Sequence, residues 1–382
     1  MVLGLKEVRQ RHFLSTFVSL CIFLGISLMW CQKCLSWHTL MHKDITSTAY
    51  NNLPTELKKA LFPYRESILW NSMVPDLVLH DWPHHEWNIH RGPEDDTDGP
   101  EYIQFLSEGL ILCLRNKQCS LEKVAMSLGR LSHYIADLSQ PLHTDDYLND
   151  NEWIHLAYEI DLYQNKQFLH FSNKGFSFWG DIKTKAMDSA AKANRYYASI
   201  VQEYQNGGGL DGLKGISQVC FTNAVQDIID LWSTIWFAAK AKNPVMLAVK
   251  ANQSQYTSGD VIILTISSIV TQPCLIGDLY VTVTDEGGLV WYLTSNGEVR
   301  QVPTAFKKGW RPQTRTAPLT LFLSTPPGLI GKSFTISAFV TLVDRDPWSF
   351  GTRLSNISRV FLEISPVNSL YLEDTGVKPL AP

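Results

Sequence analysis

The chain has 382 residues, of which 45% are hydrophobic and 18% charged, with a formal net charge of −4. This length suits two domains, and the composition is that of globular rather than disordered protein. No basic stripe is present, which weighs against tight, non-specific binding of nucleic acid.

Lys6, Arg9 and Arg11 precede an apolar run from Phe13 to Trp30, followed by a short polar break. This is the pattern of a secretory signal peptide, residues 1–36, with Cys34 and Ser36 at the −3 and −1 positions of a cut before Trp37. The alternative is an uncleaved anchor, since the run is long enough to span a bilayer. Cleavage would remove four basic residues and one acidic residue, leaving 29 Lys+Arg against 36 Asp+Glu, a net −7. A secreted or extracytoplasmic location is therefore expected. Four cysteines would remain: Cys113, Cys119, Cys220 and Cys274. In an exported protein such residues can pair, and Cys113 and Cys119, flanking the loop LRNKQ, are the natural couple. None has the CxxC spacing of a zinc–thiolate site, so any metal must use nitrogen and oxygen ligands.

From Trp37 to 243, segments such as TELKKALF, EYIQFLSEGLILCL, LEKVAMSLGRLSHYIADL, WIHLAYEIDLY and AVQDIIDLWSTIWFAAKA repeat apolar residues every three to four positions. They predict an all-α domain of seven to ten helices. After Asn243-Pro244 the texture changes. VIILTISSI, LYVTVTD, LVWYLTS, LTLFL, FTISAFVTLV and VFLEI are rich in β-branched and aromatic residues, with turn signals between them. This predicts an antiparallel β-sandwich over 246–365, followed by an extended tail, 366–382. The fold class is thus a mainly α multi-helix domain followed by an all-β sandwich.

The chain has eleven histidines. His12 lies in the leader, and the other ten all lie in the helical domain. Such crowding, with carboxylates at helical spacing, points to metal. His133 and Asp137 stand four apart and share one helix face, and His155 and Glu159 repeat that spacing. Between them Pro141 ends a helix and lets His143 leave that face. Upstream, SMVPDLVLHDWPHHEWNIHRGP contains Asp76, His80, His84, His85 and His90, from which one aspartate and one histidine are expected as ligands. At the mature start, WHTLMH, a freed α-amino group and carbonyl of Trp37 could chelate a metal, with His42 about one turn away.

This set resembles the zinc-dependent phospholipase C family, which includes the clostridial alpha-toxins, and its cousins, the fungal single-strand-specific nucleases. Their order of ligands is met by Trp37, His42, Asp76, His90, His133, Asp137, His143, His155 and Glu159, all within 123 residues. The resemblance implies three zinc ions. One would take Asp76, His90, His133 and Asp137, with His84 or His85 as alternatives to His90. A second would take His143, His155 and Glu159 with open positions. The third would take the Trp37 amine and carbonyl, His42 and Asp137, so that Asp137 bridges two ions. Asp76 and Glu159 are the carboxylates expected to have a catalytic part, Asp76 as ligand and proton acceptor.

Glu159 as the last ligand, the short gap between His143 and His155, and the VPD context of Asp76 favour the phospholipase branch. The short Trp37–His42 spacing is nearer to the nucleases. The resemblance therefore implies an exported zinc phosphodiesterase acting on phospholipids through metal-activated water. It would be a monomer, with membrane contact through the sandwich, although the calcium ligands of the alpha-toxin sandwich are not matched. One alternative is an exported zinc nuclease or nucleotidase acting on nucleic acid. Another is a non-catalytic surface protein stabilised by metal. The open second site argues against the last, because structural zinc sites are closed. No GxSxG elbow or P-loop is present, which argues against a serine hydrolase or an NTPase.

Overall fold

The computed structural model describes residues 38–90, 95–145, 152–240, 243–270, 275–312, 319–324, 331–349 and 353–365. The expected leader, Trp37, Cys274 and the tail 366–382 lie outside the described residues.

Nine α-helices occur among the described residues: α1 (His38–Asn51), α2 (Thr55–Leu61), α3 (Arg65–Asn71), α4 (Gly99–Arg115), α5 (Leu121–Leu138), α6 (Glu152–Gln164), α7 (Ile182–Asn194), α8 (Tyr197–Gln205) and α9 (Lys214–Lys240). None is long and apolar enough to cross a membrane. Their apolar stripes meet in one core that includes Ile45, Leu57, Ile103, Leu128, Ile154, Tyr197 and Trp232. Within this core α5 is central, and twelve of its eighteen residues are buried. It begins at Ser120, whose hydroxyl accepts from the Lys123 amide, a cap worth about 1 kcal/mol. Ahead of it, Cys113 and Cys119 are joined by a disulfide. Cys220 is a free, buried thiol.

The C-terminal half is two sheets. One has the order β1 (Val245–Ala251), β3 (Val261–Val270), β8 (Leu319–Ser324). The other runs β2 (Gln255–Tyr256), β10 (Ser358–Ile364), β9 (Lys332–Thr341), β4 (Gly277–Asp285), β5 (Val290–Leu293), β6 (Val299–Arg300), with β7 (Lys307–Trp310) also on β4. Alternate residues such as Leu247, Val249, Leu264, Ile336, Val340 and Leu362 fill the space between the sheets, as the two-residue period of a strand requires. Among the described strands the pairing is antiparallel except that the short β2 lies parallel to β10, so the sandwich is mixed rather than purely antiparallel.

β1 is buried on both faces. Its other set, Met246 and Ala248, joins Ile269 of β3 in the helical core. The segment before α7 seals this junction. Ala251 N–H donates to Lys174 O at 2.8 Å and Phe178 N–H to Ser267 Oγ at 2.7 Å. Lys250 Nζ reaches the buried Asp230 of α9 at 2.7 Å.

Candidate metal centre

Three elements bring the first group of side chains together. α5 presents His133 and Asp137 one turn apart, both fully buried. α1 lies beside it and contributes His42, whose ring stacks on His133 with centroids 3.8 Å apart. The chain after α3 supplies the rest. Pro75–Leu79 forms a single π-turn carrying Asp76, closed by His80 in the left-handed region at φ 54°. A 3-10 turn, Trp82–His84, then places His85.

Asp76 Oδ1, His85 Nδ1, His133 Nε2 and Asp137 Oδ2 converge. His133 Nε2 is 3.3 Å from Asp76, 3.1 Å from Asp137 and 3.0 Å from His85 Nδ1. His85 Nδ1 is 3.0 Å from Asp137 and 3.7 Å from Asp76. Four ligands at zinc–donor distances of about 2.0–2.1 Å stand about 3.3 Å from one another in a tetrahedron. The remaining oxygen of Asp137, Oδ1, faces His42 Nε2 at 3.2 Å.

The protons of the two central imidazoles point elsewhere. His133 Nδ1 is 2.8 Å from Ser72 O, a group that can only accept, so Nδ1 carries the hydrogen. His85 Nε2 lies 3.1 Å from Asp81 Oδ1, which fixes its hydrogen there. In the neutral tautomers, therefore, two nitrogen lone pairs face two carboxylate oxygens. Asp76 Oδ1 is buried and receives no hydrogen bond. A divalent cation resolves this repulsion, so the donor set fits zinc.

Without a cation the charges distort titration strongly. Burial opposes protonation of His133, but Asp137 and Asp76 together raise its pKa well above the usual value. Burial dominates at His42 and lowers its pKa, helped by the charge on His133 and only partly opposed by Asp137 and Asp76. Burial also opposes the charge on Asp137, yet His133 and His42 hold its pKa well below the carboxylate range.

The second group lies where α5 ends. Pro141–His143 makes a 3-10 turn that aims His143 at α6. His155 Nε2 is 3.0 Å from His143 Nε2 and 2.8 Å from Glu159 Oε1, while His143 lies 3.6 Å from Glu159. Gln140 Nε2–H donates to Glu159 Oε1 at 3.0 Å, and the His38 amide donates to Oε2 at 3.3 Å. Burial opposes its charge, but the two histidines lower the Glu159 pKa to about 2.

The sequence-derived candidates therefore fall as follows. His42, Asp76, His133 and Asp137 converge, as do His143, His155 and Glu159. His90 does not join them. Its side chain is 60% exposed and pairs with Asp145, while His85 stands in the position considered for it. The physical reason is the 3-10 turn, which carries His85 inward and leaves His90 in the following loop. A signal for His85 was present, because Asp81 precedes it by four residues, the same spacing as in the two helical pairs. Gln140, Ser72 and Thr39, whose hydroxyl donates to Asp76 Oδ2 at 3.3 Å, had no such signal. Trp37 lies outside the described residues.

A buried histidine–carboxylate centre of this kind, carried by an all-α domain, is the donor set of a divalent-metal site. Residues 41–206 match the family described as zinc dependent phospholipase C. Among solved structures, the chain is similar to the alpha toxin from Clostridium absonum at 13% identity and a TM-score of 0.41, covering 82% of this chain and 96% of that one. It is also similar to the alpha-toxin of Clostridium perfringens from avian strain SWCP, at 12% identity and a TM-score of 0.38, over 85% and 98%. No curated protein matches the chain at a significant level.

Proposed function

We propose that the protein is an exported hydrolase of the phospholipase C type that holds three zinc ions and cleaves the phosphodiester of membrane phospholipids. The observation that carries this reading is the convergence of eight buried or half-buried donors, from His42 to Glu159, within the family-matched stretch. Asp76, His85, His133 and Asp137 would hold one ion, and His143, His155 and Glu159 a second. His42 and Asp137 Oδ1, completed by the amine and carbonyl of Trp37, would hold the third. Zinc supplies acidified water and neutralises phosphoryl oxygens.

The protein's own groups position the reaction. Asp76 offers Oδ1 to the centre, while Oδ2, which accepts from the Thr39 hydroxyl, would take the proton of the attacking water. The water oxygen would bond to phosphorus as the bond to the glycerol oxygen breaks, and the proton taken by Asp76 would return, through solvent, to that leaving oxygen. Glu159 keeps its charge because His155 and His143 lower its pKa, while Gln140 and the His38 amide orient its two oxygens.

Exposed apolar residues near the donors support a lipid substrate. Leu40 lies two residues before His42, Leu77–Val78–Leu79 follow Asp76 directly, and Trp153 lies two before His155. Val78 is 59% and Trp153 49% exposed. Such side chains favour the headgroup–acyl boundary, where the scissile phosphate lies. The Cys113–Cys119 disulfide supports an oxidising, exported setting. The test is hydrolysis of phosphatidylcholine micelles beside single-stranded DNA, with and without chelator. Chelator-sensitive lipid cleavage is expected. DNA cleavage without lipid cleavage would select the nuclease reading, and inactivity of zinc-loaded protein on both would select a structural role for the metal.

A further inference from the structure

Resting on the metal-centre reading above, we propose that Asp81 is a positioning residue: bridging His85 and Tyr134, it fixes the tautomer and aim of His85 and so sets the affinity of one zinc site.

His85 differs from the helical donors in its support. His133, Asp137, His155 and Glu159 stand on helices α5 and α6, whereas His85 follows a three-residue 3-10 turn beyond a left-handed residue, His80. Backbone regularity alone does not aim its ring. Two side-chain hydrogen bonds do so. Asp81 Oδ1 takes the His85 Nε2 hydrogen at 3.1 Å, and Asp81 Oδ2 takes the Tyr134 hydroxyl hydrogen at 2.7 Å. Tyr134 follows His133 on α5, so Asp81 fastens the loop donor to the helix that bears its partners. Tyr134 is itself held edge-on by Tyr102 at 5.2 Å and by the His85 ring at 5.4 Å.

The two bonds act in one direction. A carboxylate on Nε2–H leaves Nδ1 as the lone-pair nitrogen, 3.0 Å from both His133 Nε2 and Asp137 Oδ2. It also makes that nitrogen more basic, as carboxylate–histidine pairs do at metals. A neutral carbonyl does the corresponding service for His133. Asp81 has both carboxylate oxygens engaged, one by the His85 Nε2 hydrogen and the other by the Tyr134 hydroxyl. Unlike Asp76 and Asp137, it faces away from the donor cluster, and so it tunes the centre without being a ligand.

The test compares full-length protein with Asp81→Asn, Asp81→Ala and Tyr134→Phe variants by zinc retention against a graded chelator. The 15N imidazole shifts of His85 are recorded as well, in the metal-free form at alkaline pH. Asp81→Ala should weaken one ion about 10–100-fold and leave the ion on His143, His155 and Glu159 unchanged. Its His85 should lose the single Nε2–H tautomer. Asp81→Asn and Tyr134→Phe should shift the same ion by less. Unchanged retention and an unchanged tautomer in folded Asp81→Ala would overturn the assignment, as would equal weakening of every ion. Should Asp81→Ala not fold, the same criteria apply to Asp81→Asn. Wild-type protein that retains no zinc would instead refute the metal-centre reading, and the tautomer comparison would still decide the role of Asp81.

Discussion

Asp137 has no exposed surface and divides its oxygens, one toward His42 and the other toward His85 and His133. Glu159 serves a single cluster with His143 and His155. Removing Asp137 therefore strips two groups of histidines of their shared anion, whereas removing His155 or Glu159 opens one site. His155→Ala and Glu159→Ala are expected to abolish turnover with a smaller loss of melting temperature than Asp137→Ala. Equal losses in all three variants, by calorimetry on zinc-loaded protein, would contradict this division. Much of the site was legible at this scale because helical spacing is a strong signal: His133–Asp137 and His155–Glu159 need only an i, i+4 rule. His85 was harder to choose over His90, since a loop of four histidines has no period from which to read direction. The Asp81–His85 spacing was the available clue, and it belongs to a 3-10 turn rather than a helix.

At the scale of elements, the site depends on how closely α3 approaches α5. Gly129 of α5 makes this approach possible, because an added Cβ would lie 2.4 Å from Ile68 O and 2.9 Å from Asn71 Cβ. The end of α3 then delivers Ser72 O to His133 and leads into the turn bearing Asp76. Gly129→Ala should thus cost about 1–3 kcal/mol through overpacking and also weaken zinc binding by displacing Ser72. A chemical melt with parallel metal analysis checks both, and a stable variant with normal zinc content would refute the coupling. The helix α5 itself was legible from its apolar period. The π-turn at 75–79 and the left-handed His80 were not, because neither Val-Pro-Asp-Leu nor a histidine signals such a backbone on its own.

For the whole molecule, the change of period near residue 243 was enough to foresee helices followed by strands. It could not reveal which face of β1 meets the helices, since a strand buried on both sides loses the polar alternation that marks an outer face. That doubly buried strand makes the sandwich part of the helical domain's support. Lys250→Ala would leave Asp230 with Ser177 and Gln226 as its hydrogen-bond donors and remove a charged hydrogen bond worth about 1.5–3 kcal/mol. The expected result is a lower melting temperature with unchanged cleavage of a small soluble phosphodiester, because every candidate donor lies before α7. Loss of that cleavage in folded Lys250→Ala protein would show that the sandwich shapes the centre.

The most direct test of the account is the zinc content of purified, active protein, measured by elemental analysis against chain concentration. Three ions per chain are predicted, with hydrolysis lost as chelation removes them. Full activity with one ion or none would contradict the account.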